Sequence, residues 1–318
     1  MGNPVKNAQG GILRWNGRLG LGIILLFALA ALAAPLLAPP GPTDTGAAFR
    51  WVQVPAGRSP NPPGAEFRLG TVPAGRSDQQ LDIYYTLIWG ARAALTFGFG
   101  ATLVVSVFGS LVGATSSFVG GTAGRAILYV TDAFLAFPVI AGIVFFGQLM
   151  FPDSTAAHPS LLRAGLLRLG VDNVMLALIL LGWMPYARVI YANMERIRRL
   201  DFVVAAQAAG AKPGRIILRH LIPNAISNVV VLATRDVSGL VLMQAAFSFL
   251  GLGGNSYWGE LLMIGRHWIL GTGGNPLKNW WVFVPVTAAL VLFGIGWNLF
   301  GDFLNEYLNP RLRYSEPE

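Results

Sequence analysis

Six stretches of this chain are long and apolar enough to cross a bilayer: residues 19–39, 93–119, 126–150, 172–191, 226–250 and 281–301. A spanning helix needs about 20 mostly apolar residues. Inside lipid every backbone polar group must be paired, which only helices and closed barrels achieve, and uninterrupted runs of this length belong to helices. The expected fold is an all-α integral membrane protein of about six transmembrane helices. Charged residues make up only 12% of the chain and mean hydropathy is +0.55. Soluble domains carry about 25% charged residues, so a water-facing globular enzyme is excluded.

The net charge of +8 would suggest nucleic acid in a soluble protein. Here the basic residues lie between apolar spans, where loops on the inner side collect Lys and Arg. With the N-terminus inside, thirteen of the 23 basic residues fall in inner segments and nine in outer ones, Arg235 lying within a span. This bias predicts both termini and the 195–223 loop on the cytoplasmic side, and no role in nucleic-acid binding. The first span follows Lys6, Arg14 and Arg18 and contains Ala28-Leu29-Ala30, as a signal peptide would. Its run from Leu19 to Ala38 exceeds a typical signal core and reads as a membrane anchor. Cysteine is absent, which excludes disulfides and thiolate chemistry.

The resulting organisation is a cytoplasmic tail and first helix over 1–39, an extracytoplasmic loop over 40–92, a five-helix core over 93–302 and a cytoplasmic tail over 303–318. Residues 40–82, rich in Pro and Gly, read as irregular. Gly109 and Gly113, then Gly120 and Gly124, have the small-residue spacing that lets helix backbones approach, and helix packing is the expected use. Trp280 and Trp281 read as an interfacial belt.

The loop between spans four and five is the most informative segment. Asp201 is placed to cap a short helix starting at Phe202, and Gly210 supplies a permissive stop. Pro213 suits the first turn of a second helix, and Pro223 precedes span five. A small, Ala-rich helix flanked by Arg and Lys fits either a partner's groove or the membrane surface, and the residues alone leave both open.

Ala205-Ala206, Gly210 and Pro223 at these spacings resemble the coupling-loop motif of binding-protein-dependent ABC importer permeases. Arg219-His220-Leu221-Ile222-Pro223-Asn224 and Ser248-Phe249-Leu250-Gly251-Leu252-Gly253 are similar to the dipeptide/oligopeptide branch of that family. So are Ser256-Tyr257-Trp258-Gly259, Trp89-Gly90-Ala91-Arg92, Ala136-Phe137-Pro138, Asn298-Leu299-Phe300-Gly301-Asp302 and Asn309-Pro310-Arg311-Leu312-Arg313. In order and spacing these pieces run through residues 69–313. The resemblance implies a transmembrane subunit of an ATP-driven importer for peptides or similar small solutes, forming half of the pathway in the cytoplasmic membrane of a bacterium or archaeon. It also implies a second homologous permease, two cytoplasmic ATPase subunits carrying ATP and Mg, and an extracytoplasmic solute-binding protein. By the same resemblance Asp201, Val204, Ala205, Ala206, Gly210, Arg215, Arg219 and Pro223 form the ATPase-coupling segment.

Three positions depart from the family pattern. Val204 stands where relatives usually have Glu; counted from Phe202 it is the third helical residue, so the reciprocal half of a capping box is missing. Val72 and Ser77 replace two Asp residues of an outer-loop motif that Leu69-Gly70-Thr71 and Gly75-Arg76 resemble. Gln244 replaces a frequent Glu before Ala245-Ala246.

Arg235, Asp236 and Gln244 are candidates for lining the translocation pathway, because ionisable groups within a bilayer are costly unless paired or wetted. Arg235 and Asp236 point about 100° apart on a helix and do not face one another; a position at the membrane interface also suits Arg235. Asp132 reads as structural. No phosphate-binding G-x-x-x-x-G-K-[ST] loop occurs, so ATP hydrolysis belongs to other subunits, and this chain is expected to hold no cofactor or metal. His158, His220 and His267 lack the H-E-x-x-H setting and G-x-S-x-G is absent, so no catalytic residue is assigned. A secondary transporter is the alternative, disfavoured by the lack of an internal repeat and by the basic mid-chain loop.

Overall fold

The computed structural model describes residues 4–41, 49–54, 59–74, 79–138, 140–142, 144–145, 172–271 and 274–308. The chain is predominantly helical. Helix α1 spans Pro4–Leu32 and α2 Ala34–Leu37, followed by strands β1 (Trp51–Gln53), β2 (Thr71–Pro73) and β3 (Gln79–Asp82). Then come α3 (Ile83–Val119), α4 (Gly121–Leu135), α5 (Asn173–Gly182), α6 (Met184–Arg198), α7 (Asp201–Ala208) and α8 (Pro213–Ile216). A π turn over Ile217–Leu221 leads into α9 (Ile222–Leu250), followed by α10 (Tyr257–Leu270) and, after a 3-10 turn at Trp280–Val282, α11 (Val284–Leu308).

Among the described residues five helical segments are long and apolar enough to cross a membrane: Trp15–Leu32, Ile83–Val119, Val174–Arg198, Gly214–Leu250 and Val284–Leu308. The third expected span, 126–150, lies partly outside the described residues; α4 covers its first part and ends at Leu135. Outward faces of these helices carry Leu26, Leu29, Leu103 and Leu111, all more than 60% exposed in the isolated chain. Continuous apolar surface of this kind needs lipid as its solvent.

Several boundaries differ from the sequence reading: span four continues to Arg198 rather than 191, and the helix of span five is already formed at Gly214 rather than 226. The second span begins at Ile83, ahead of the expected 93, and its 37 residues make a helix roughly 55 Å long at 1.5 Å per residue. Asp82 starts it, its carboxylate accepting the Tyr85 N–H at 3.2 Å as a helix N-cap does. The last span runs on to Leu308, beyond the expected end at 301. Span four is two helices: α5 ends at Gly182 and α6 restarts at Met184, with Pro185 in its first turn, where a missing N–H is tolerated.

The helices divide into two compact units. One comprises residues 1–17, 100–237 and 299–318. In it α3 and α6 meet backbone to backbone. A Cβ on Gly109 would collide with the Trp183 carbonyl, and one on Gly113 with the Ala187 carbonyl, so this glycine pair serves packing within the chain. The other unit comprises residues 18–99 and 238–298. Its aromatic centre is Phe27, Trp258 and Phe293, edge-to-face at centroid distances of 5.9, 5.3 and 6.0 Å. The buried Trp258 ring lies over Gly90, and its indole N–H donates to the Leu87 carbonyl at 3.1 Å.

The same unit carries a small antiparallel sheet, in the order β1-β3-β2, within the segment expected to be irregular. Val72 pairs with Leu81 in register, and both are fully buried. Thr71 donates to the Gln80 side-chain carbonyl at 2.5 Å, and the Gln80 amide donates to the Ser59 carbonyl at 3.1 Å. Trp281 is buried rather than belt-like, and leaves Gly70 no room for a Cβ; Trp280 remains half exposed.

Candidate functional site

Between the spans ending at Arg198 and beginning at Gly214 lies a short projecting helix, α7. Its N-cap is Leu200, in extended conformation, and no side chain caps it. Asp201 is the first helical residue rather than the cap, so its carboxylate acts on the helix dipole alone. Val204 then becomes the fourth helical residue, its N–H donating to the Leu200 carbonyl at 3.2 Å. The capping-box geometry expected at this position is therefore absent, whatever residue 204 is.

The C-terminal end has a complete Schellman motif. Gly210 has φ +79°, its N–H donates to the Gln207 carbonyl at 2.9 Å, and Ala211 N–H donates to the Ala206 carbonyl at 3.1 Å. Glycine enters this left-handed region without the Cβ penalty of other residues.

Val203 is fully buried and anchors α7, while Phe202 and Val204 are about half exposed and Ala205 and Ala208 are exposed. Ala206 is half-buried. The Phe202 ring tilts over His220 at 6.0 Å. The outward face is thus mostly apolar, with Gln207 as its neutral polar side chain and Asp201 as its one charge. Arg215, Arg219 and Pro223 are exposed on the return path. Pro223 has no N–H and crowds the carbonyl four residues back. The helix widens just ahead of it, where Ile222 N–H donates to the Ile217 carbonyl in a π turn. Helix therefore continues from Pro213 to Leu250, leading directly from the projecting segment into the long span.

Both flanks of the segment are clamped. Ser117, at the end of α3, donates to Glu195 at 2.8 Å, and Arg198 pairs with Glu195 at 3.1 Å while donating to the Ser117 carbonyl at 2.7 Å. Asn228 donates to the Asn193 side chain at 3.1 Å, joining α6 to α9. Apart from Glu195–Arg198, which are three residues apart on α6, these partners were not evident in the sequence, since they join residues far apart in the chain.

The polar residues within the spans have specific partners. Arg235 is paired with Asp302 of α11, and a Cβ on Gly301 would crowd the Arg235 stem. Asp236 accepts a hydrogen bond from the Tyr186 hydroxyl of α6 at 2.7 Å. The two neighbours thus tie α9 to two different helices. Asp132 pairs with Arg188 at 2.5 Å, linking α4 to α6. Gln244 is buried on α9. Val72 is held in the core of the small sheet, and Ser77 lies outside the described residues. Among the described residues no group of three or more His, Asp or Glu could hold a metal ion.

Comparison with known proteins gives the arrangement a context. Residues 105–314 match the family described as binding-protein-dependent transport system inner membrane component. The chain is 29% identical to a dipeptide transport system permease protein of Alkalihalophilus pseudofirmus, over 93% of this chain and 86% of that protein. It is 30% identical to a nickel transport system permease protein of Escherichia coli K12, over 94% of this chain and 95% of that protein. An oligopeptide transport system permease protein of Bacillus subtilis is 25% identical over 73% of this chain and 69% of its own length.

Proposed function

The chain belongs to the family of inner membrane components of binding-protein-dependent transport systems, as the transmembrane permease subunit of an ATP-driven importer, and from that premise we propose that α7 is the element through which an ATPase drives it. The observation that carries the proposal is the form of α7: a buried anchor at Val203, a mostly apolar exposed face, and a fixed Schellman stop at Gly210. Such a face is costly to leave in water and fits a groove on a soluble partner. Asp201, Val204, Ala205 and Ala206 belong to the docked helix. Gly210, Arg215, Arg219 and Pro223 belong to the return path into α9.

A push on α7 passes through the continuous helix 213–250 into the transmembrane region, because a helix transmits displacement along its axis with little bending. The clamps at Glu195–Ser117 and Asn193–Asn228 make the flanks move with it. ATP and Mg reside on the ATPase subunits. This chain contributes half of the pathway beside a second homologous permease, with two ATPases on the cytoplasmic side and a solute-binding protein on the other. Both termini and the 195–223 loop face the cytoplasm. The solute is a peptide or a comparable small solute; relatives of nearly equal identity are named for a dipeptide and for nickel. Arg235, Asp236 and Gln244 act near that pathway, the first two by holding α9 in place.

The test is Ala205→Glu in a reconstituted complex with ATPase, binding protein and solute. The substitution puts a charge on the docking face without touching the transmembrane region. The chain inserts normally, while solute-stimulated hydrolysis and uptake fall about tenfold or more, as an unpaired charge forced into an interface requires. Full stimulated hydrolysis and full uptake in this variant would remove α7 from the coupling role.

A further inference from the structure

Cations flank α7 and none lies on it. Arg196 and Arg199 stand at the end of the span Val174–Arg198, and Lys212, Arg215 and Arg219 at the start of the span Gly214–Leu250. All five side chains are exposed, and among the described residues none of them forms an ion pair. Arg198, between the first two, differs: it is engaged with Glu195 and Ser117. Helix α6 packs against the π turn, so the two flanks are neighbours. Residues 202–210, by contrast, contain no charged residue.

This separation distinguishes two kinds of partner. A protein groove that takes α7 meets a helix without a cation, whose one charge is Asp201 at its start. The cations stay behind beyond the apolar runs: Arg196 and Arg199 lie five and eight residues past the run that ends at 191, about 8 and 12 Å along the axis, and Arg219 and Arg215 seven and eleven residues before the run that begins at 226, about 10 and 16 Å. Long Arg and Lys stems extend back along apolar surface and bring their charge toward the headgroup layer that borders those runs. Clustered basic residues at such a boundary attract anionic lipids, at about 1 kcal/mol for each cation near the surface, which corresponds to about fivefold in binding.

We propose that Arg196, Arg199, Lys212, Arg215 and Arg219 form a binding collar for anionic phospholipid headgroups, fixing the depth from which α7 projects. The chemistry recognised is the lipid phosphate, met by guanidinium and ammonium groups. Arg215 and Arg219 also belong to the return path from α7, so Arg196 and Arg199, outside the coupling segment, are the pair that separates the collar from the coupling role.

The experiment uses the assembled transporter in vesicles of mixed phosphatidylglycerol and phosphatidylcholine, with spin-labelled forms of each lipid reporting relative association. Wild type selects phosphatidylglycerol, and the preference collapses as ionic strength rises from about 0.05 M to about 0.5 M. Replacing all five residues by Gln lowers the preference about fivefold or more. Replacing the four arginines by Lys keeps it, because charge rather than fork geometry is read. If the Gln variant fails to assemble, Arg196→Gln with Arg199→Gln alone still lowers the preference measurably. Undiminished selectivity in the Gln variants, or selectivity insensitive to salt, overturns the collar. So does a Gln variant that loses ATPase association at unchanged lipid selectivity, which would assign the cations to a protein interface.

Discussion

Arg235 of α9 reaches the carboxylate of Asp302 on α11 across Gly301, where a Cβ would meet the arginine's aliphatic stem. The neighbouring Asp236 turns to Tyr186 on α6. One turn of α9 is thereby held from two sides by groups that lipid does not solvate. Both ion-pair side chains are about half exposed in the isolated chain, which in water would limit the pair to about 0–1 kcal/mol. Surrounded by lipid, an unpaired charge costs more, about 2.5–3.5 kcal/mol at a span centre.

Asp302→Asn should therefore destabilise the protein by about 1–3 kcal/mol. The exchange Arg235→Asp with Asp302→Arg should recover part of the loss. Thermal unfolding in lipid nanodiscs, run as a double-mutant cycle, measures the coupling. A coupling energy indistinguishable from zero would mean that the pair holds nothing.

Gly90 and Trp258 give a second prediction. The indole occupies the space that a side chain at 90 would need, and its N–H is fixed to the Leu87 carbonyl. Gly90→Ala overpacks this contact, and insertions of this kind cost typically about 1–3 kcal/mol. Combining it with Trp258→Phe, whose smaller ring frees part of the space, should cost less than the two changes summed. Melting temperatures of the four proteins test the non-additivity.

How much of this was legible in the sequence depended on the range of the interaction. The apolar runs announced the spans because lipid imposes a long, local pattern. The start of span two was placed at 93, ten residues late. The Arg92 guanidinium lies 5.7 Å from the Trp89 ring centroid, beside the helix, and the helix begins at Ile83. The small sheet has strands of three or four residues, too short for a period-two signal. Gly210 was readable because its helix stop is local chemistry. The cap was misread because Asp201 is a favoured capping residue, yet the chain enters the helix one residue earlier, at Leu200. The partners of Arg235 and Asp236 lie 67 and 50 residues away and left no local mark.

Asp82 supplies a pH prediction. Burial is the main influence on its carboxyl and raises its pKa, with the Tyr85 N–H and the nearby Arg50 charge opposing in part. A folded pKa above the unfolded value means that the native state binds more protons. Stability from this group therefore falls as pH rises from about 3.9 through the raised value. Asp82→Asn keeps a capping acceptor and removes this pH-dependent loss, so at pH 7 it should be neutral or stabilising. Asp82→Ala loses the cap of α3 and should cost about 0.5–2 kcal/mol. Unfolding curves from pH 4 to 8 (about the carboxylate-to-neutral range) distinguish them: the Asn protein should show the flatter profile.

The last prediction separates stability from docking within α7. At φ +79° and as the donor in the Schellman stop, Gly210 cannot become β-branched without strain, about 1–2 kcal/mol for the left-handed backbone. Gly210→Val should unwind the helix end and redirect the chain toward Pro213, lowering both ATPase association and the rigidity of the segment. Val204→Glu differs. At the fourth helical position it completes no capping box, and Asp201 three residues earlier offsets its favourable interaction with the helix dipole. Its effect on thermal stability should lie within about 0.5 kcal/mol. Because Val204 is half exposed on the face proposed to dock, the change should appear in ATPase association instead. Measuring both quantities for both variants decides the matter: Gly210→Val shifts stability and association together, while Val204→Glu shifts association alone. A Val204→Glu protein with raised stability and unchanged association would show that its side chain caps the helix after all and that residue 204 faces no partner.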